Sequence, residues 1–289
     1  MRIDKSGQHA PRAKIVLMNA DLHFLRELRH AIQTKNPDDM TKSLKTREEE
    51  LALMRRVDLV LSYTDVEKAV ILSHNLDSTK VEKCPWITEI AESVPAFESR
   101  KDIAFLGGFN HQPNEQAVRW FVSEVMPLVR RELPGVKFRV YGSHMSEALT
   151  QLLGEQEDLI AEGWVESVRD VYDHCKVFLA PLQSGAGIKG KVIGALGFGV
   201  PTVMTPLAAE GIGIHEGVDG FIAEKPEEWA AAISRIYKSP KTWAAVSQGA
   251  LELARRQFGF ERAVAGMRHA LETAEIFATE DNPGLVTRI

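Results

Sequence analysis

The sequence predicts an α/β protein: a doubly wound parallel sheet preceded by a partial α/β domain. Three observations carry this. From Ile103 onward, short apolar runs alternate with helical stretches at a spacing that suits parallel strands joined by crossover helices. Two glycine clusters, Gly107-Gly108 and Gly185–Gly190, fall at the ends of such runs, where open α/β sheets bind ligands. The chain has 289 residues, 44% hydrophobic and 26% charged, so it can bury a sizeable core in one large or two modest domains.

In the N-terminal part, Lys14–Met18 (KIVLM) reads as a buried strand and Asp21–His30 leads into a helix. The charged stretch Asn36–Glu50 reads as a loop running into a helix that continues through Leu51–Arg56. Val57–Ser62 is a second strand and Asp65–His74 a helix, with no third repeat before Cys84. Two β-α units are too few for an open sheet, so residues 1–95 read as a partial domain plus linker. The linker, residues 84–102, has two prolines and several charges.

Residues 96–289 form the second predicted domain. Ile103–Gly108 is its first strand. Pro113–Leu133 is helical, with Ala117, Phe121, Val125 and Leu128 on one face and a kink at Pro127. Strands follow at Lys137–Tyr141, Asp158–Val165, Lys176–Leu182, Pro201–Met204 and Gly220–Ala223. Helices are expected at Ser146–Leu153, Val168–His174 and from the glycine turn to about Gly199. Pro226–Tyr237, Lys241–Gln257 and Phe260–Ala278 close the chain, the last packing back on the N-terminal part.

The net charge of -5 gives no basic footprint for nucleic acid. Cys84 and Cys175, the only cysteines, make neither a metal cluster nor a disulfide framework, which suits a reducing cytoplasm. No apolar stretch approaches a membrane span, and MRIDKSGQHAPRAK lacks the apolar core of a signal peptide.

The segment APLQSGAGIKGKVIGALGFGVP carries most of the chemistry. Gly185, Gly187 and Gly190 allow a tight turn and close approach to a ligand. The helix that follows offers unpaired N–H groups and a positive dipole end. Lys189 and Lys191 add two mobile positive charges, so Ser184–Lys191 reads as a diphosphate site. Gly185–Val192 approximates a Walker A loop, but Val192 has no hydroxyl for Mg²⁺ and no Walker B aspartate follows.

The blocks GGFNHQPNEQAVRWF, EGWVESVRDVYDHCKVFLAPL, GAGIKGKV, GFGVPTVMTPLAAEGI and GVDGFIAEKPEEWA, in this order and spacing, resemble the group 1 (family 4-like) glycosyltransferases of GT-B fold. NADLHFLRELR and VDLVLSYTDVEKAVI resemble the second half of that family's acceptor domain. The resemblance implies sugar transfer from a nucleoside diphosphate sugar to an acceptor hydroxyl, with retention and without a metal or other cofactor. It places Gly107, Gly108 and Asn110 near the donor phosphates, Trp164 and Val165 by the nucleobase, Gly187, Lys189 and Lys191 at the diphosphate, and Glu210 near the donor. His23, beside Asp21, corresponds to the family's acceptor-side histidine, a catalytic role shared with Lys189. The acceptor would be a polysaccharide, lipid-linked or other sugar, with possible peripheral membrane association and a possible partner supplying further N-terminal structure.

Two glutamates common in the family are replaced here by Ala186 and Gly194, the second of which would hold the donor ribose. This departure leaves room for an alternative, a noncatalytic nucleotide-sugar-binding or scaffolding subunit. A nucleotide-sugar epimerase on the same architecture would need acidic cleft residues that the sequence does not place.

Overall fold

The computed structural model describes residues 13–276. Met1–Arg12 and the expected helix end at Ala278 lie outside them. The chain forms two compact units, Met1–Trp86 with Ala186–Ile188 and Phe260–Ile289, and Ile87–Gly185 with Lys189–Gly259.

The first unit holds a parallel sheet in the order β1 (Val16–Asn19), β2 (Leu59–Ser62), β3 (Lys80–Lys83). The third strand corrects the two-unit reading. In KVEK only Val81 is buried, so one apolar residue in four hid the strand from a periodicity argument. Helices α1 (His23–Thr34), α2 (Pro37–Met54) and α3 (Asp65–Leu72) belong to the same unit. Phe24, Leu51, Met54 and Ile71 pack with Val60 and Val81 of the sheet. α2 begins at Pro37, where a loop was expected. Asn36 caps it by accepting from the Asp38 N–H at 3.0 Å, Pro37 fits its first turn, and Asp38 and Asp39 sit at its positive end. The C-terminal helix Phe260–Thr273 lays Ala270, Ala274, Met267 and Leu271 against Leu59, Leu61 and Cys84, so it packs on the N-terminal sheet as expected.

The second unit is a wholly parallel six-stranded sheet in the order β6-β5-β4-β7-β8-β9. Its strands are β4 (Lys101–Leu106), β5 (Phe138–Tyr141), β6 (Leu159–Gly163), β7 (Cys175–Ala180), β8 (Thr202–Met204) and β9 (Phe221–Ile222). The connecting helices are α4 (Gln112–Trp120), α5 (Met126–Glu132), α6 (Glu147–Gly154), α7 (Val168–His174), α8 (Gly190–Gly197) and the short α9 (Pro206–Ala209). α10 (Pro226–Lys238) and α11 (Pro240–Phe258) follow, and the C-terminal helix is α12. A π turn over Phe121–Val125 joins α4 to α5 just before Pro127, whose missing N–H breaks the regular ladder. Phe121 and Trp229 are fully buried and in edge contact, and Phe121 also meets Phe138. Among the described residues no helix is long and apolar enough to cross a membrane.

Candidate functional site

A wholly parallel sheet brings every strand's C-terminal end to one edge. In the second unit that edge carries Gly107-Gly108 after β4, Trp164 after β6, Ser184 after β7 and Glu210 after β8. Two turns are tied together there by α4. Asn114 donates its Nδ2–H to the Gly108 carbonyl at 2.7 Å, and its Oδ1 accepts from Lys191 Nζ at 2.6 Å. Ser184 donates to Gln116 Oε1 at 3.1 Å. The end of β7 is held in turn by Thr205, whose hydroxyl donates to the Leu182 carbonyl at 2.8 Å.

Gly107 leaves room for the lysine to come close. A Cβ built on it would lie 2.6 Å from Lys191 Nζ and 2.9 Å from the Asn114 amide. The ammonium also stands 4.4 Å from the Phe105 ring centroid. Gly107, Asn114 and an aromatic face thus wall a cation for which the structure gives a neutral amide oxygen as hydrogen-bond acceptor. Burial pushes the Lys191 ammonium from 10.5 down to about 7, and the neighbouring charge of Lys189 adds to the effect. Lys189 is only 8% exposed. Neither lysine is therefore the mobile charge expected from the sequence.

The other predicted residues are placed as follows. Lys191 meets Gly107 rather than Gly108, whose nearest side-chain neighbour is Asn110 Oδ1, 3.1 Å from the Cβ position. Gly185 and Gly187 have φ of 133° and 72°, which glycine adopts without strain. Gly187 belongs with the first unit, where a Cβ on it would meet the Asp21 Cβ at 2.9 Å. Trp164 is 70% exposed, whereas Val165 packs beside Tyr172 and Phe178. Glu210 stands at the C-terminal end of α9. His144 is exposed at φ 61°, and Cys175 is buried, its thiol pushed up to about 12 by desolvation.

His23 opens α1 in the first unit. Its ring nitrogens lie 3.2 Å from Asp21 Oδ1 and 3.8 Å from Glu50 Oε1. The N-cap position of α1 falls on Leu22, which offers no side-chain cap. The Leu22 N–H donates to Glu67 at 2.9 Å, and the His23 and Phe24 N–H groups donate to Glu50 at 3.1 and 3.0 Å. Asp21 pairs with Arg26, and Glu27 with Lys42 at 3.0 Å.

Sequence reasoning missed Asn114, Gln116 and Tyr172. The first two are polar residues in the first two turns of a helix beside a glycine loop, a signal that was available. Tyr172 fills the place that any side chain at position 194 would take, its hydroxyl 2.8 Å from a Cβ built on Gly194. Among the described residues no group of three or more His, Cys, Asp or Glu is arranged to hold a metal ion.

Residues 100–239 match the family model described as Glycosyl transferases group 1. This stretch is a group 1 glycosyltransferase domain. A relative over 145 residues, 26% identical, is an "uncharacterized 44.6 kDa protein in cps region" of Klebsiella pneumoniae, the match covering 48% of this chain and 37% of that protein. The fold is similar to that of Staphylococcus aureus TarM in complex with fondaparinux, α-GlcNAc-glycerol and UDP, at 13% identity and a TM-score of 0.66 over 78% of this chain and 46% of that one. It is also similar to Anabaena HepE in complex with UDP and glucose, at 13% identity and a TM-score of 0.67 over 93% and 73%. Sucrose-phosphate synthase from Thermosynechococcus elongatus matches at 14% identity and 0.69 over 92% and 69%. The chain thus spans under half of TarM and about three quarters of HepE. At these identities the structural likeness establishes the GT-B fold, and the lysine turn and the Gly107 loop both fall inside the group 1 domain.

Proposed function

We propose that the chain carries the donor-binding part of a glycosyltransferase that moves a sugar from a nucleoside diphosphate sugar to an acceptor hydroxyl, with retention and without a bound metal. The observation that carries this reading is Lys191, a desolvated ammonium at the end of one glycine turn and against the other, at the ligand end of a parallel sheet. A diphosphate supplies the anion that such a cation favours. TarM and HepE hold UDP within the same fold, which supports a UDP-sugar donor here. As the glycosidic bond breaks, negative charge builds on the leaving diphosphate. Ammonium groups already in place at Lys189 and Lys191 stabilise that charge without reorganisation. In this reading Trp164 and Val165 lie by the nucleobase, Gly107, Gly108, Asn110, Gly187 and Glu210 line the donor, and His23 orients the acceptor or the transferred sugar. The acceptor in this reading is a polysaccharide, lipid-linked or other sugar.

The test is binding and turnover against UDP-, GDP- and dTDP-sugars, with and without chelator. Saturable binding of one nucleotide class that survives chelation is the expected result. Binding that chelator abolishes, or no binding to any nucleotide sugar, would overturn the reading.

A further inference from the structure

Helix α8 is poorly suited to stand alone. Of its eight residues three are glycine (Gly190, Gly194 and Gly197), and Gly194 in its interior costs about 1 kcal/mol relative to alanine. Yet it carries Lys191 in its first turn. Its shape is imposed from outside at two places where a glycine admits a neighbour. At Gly197 a Cβ would run into the Glu89 carbonyl oxygen and lie 3.1 Å from the Thr88 methyl, and the Gly197 carbonyl accepts from the Ala91 N–H at 2.8 Å. At Gly194 the neighbour is Tyr172.

Tyr172 is a rigid strut. It is 2% exposed, stacked on Phe198 at 5.4 Å and in edge contact with Phe178 at 5.3 Å. Its carbonyl accepts from the buried guanidinium of Arg100. Its hydroxyl donates to the Lys191 carbonyl at 2.9 Å. A Cβ on Gly194 would sit 2.8 Å from that oxygen and 3.1 Å from Cε2, so the contact needs glycine at 194.

We propose that Tyr172 is a positioning residue for Lys191: its hydroxyl, admitted by Gly194, sets the first turn of α8 so that the ammonium meets Asn114 and the Gly107 turn where the diphosphate binds. The proposal rests on the diphosphate reading of that turn. It also gives Gly194 a purpose: position 194 holds no ligand-binding side chain because Tyr172 occupies its space.

The test uses the full chain with Tyr172→Phe, Gly194→Ala, the double variant and Lys191→Ala, each titrated with UDP and with inorganic pyrophosphate, a probe blind to the base. Tyr172→Phe keeps both ring contacts and removes one hydrogen bond. It should weaken both probes roughly three- to tenfold with little change in Tm. Gly194→Ala should do the same, and the double variant should lose no more than the worse single, because both act through one contact. Wild-type affinity in Tyr172→Phe while Lys191→Ala is weakened overturns the proposal alone. So does a fall in Tm without a fall in affinity, or losses in the double variant that multiply. Unchanged affinity in Lys191→Ala instead overturns the diphosphate reading beneath it.

Discussion

Donor binding should take up a proton, and the structure sets the size of the effect. The perturbation is pH. In the unliganded protein burial and Lys189 hold Lys191 near 7. A bound diphosphate favours the charged form and moves the group back towards its ordinary value of about 10.4. If only the ammonium form binds, apparent affinity scales with the protonated fraction, about nine tenths at pH 6 and one tenth at pH 8. Affinity should therefore fall about tenfold between those pH values, or about 1.4 kcal/mol. The ligand is a nucleoside diphosphate sugar, whose phosphates have no proton to gain in this range. Calorimetry at pH 8 in buffers of different ionisation enthalpy should count about 0.9 proton taken up per ligand bound, the fraction of chains that start neutral. Lys191→Arg stays charged and should abolish the uptake. Flat affinity from pH 6 to 8 with no buffer dependence in the wild type would refute the argument.

Three more outcomes follow from the same geometry. Because its folded value lies below its unfolded one, Lys191 destabilises the unliganded fold fully below about pH 7, and stability recovers as pH rises towards 10.5; Lys191→Met should therefore raise Tm at pH 6 by the equivalent of about 2–5 kcal/mol and change it little near pH 10.5, whereas an equal gain at both pH values would contradict this. Asn114→Leu removes the Lys191 acceptor at similar volume; the pH midpoint of donor binding should move further down and affinity at pH 7 should drop about tenfold, and an unmoved midpoint would show that Asn114 does not hold the ammonium. Gly197→Ala sets a steric cost of about 1–3 kcal/mol against the Glu89 carbonyl and a helix gain of about 1 kcal/mol; chemical denaturation should show a net loss, and a more stable variant would mean that α8 is not clamped there.

Much of the second unit was legible because its signals are local and repeated. KVFLAPL is a continuous apolar run, and β7 is buried at every position. Pro127 announced its own kink, and Val168–His174 emerged as read. The readings that failed depend on contacts distant in sequence. β3 is a strand because it pairs with β2, although only Val81 is buried in it. The lysines read as mobile because nothing nearby in the chain shows that Asn114, 77 residues away, receives one of them. Gly194 looks like a loss in the sequence, whereas the structure puts Tyr172 in the space beside it. A motif shows where backbone can bend, but not which distant side chain uses the room.

The start of α1 has a consequence for how the first unit folds. Its opening amides are met by Glu50 and Glu67, 26 to 45 residues further along the chain. Leu22 itself offers no capping oxygen. A nascent α1 must therefore wait for α2 and α3 to be made and docked before its first turn is secured. Closing loops of that length is an entropic cost met before the reward, so α1 joins the folding nucleus late or not at all. His23 stands in that first turn, and its backbone becomes fixed only when the unit closes around it.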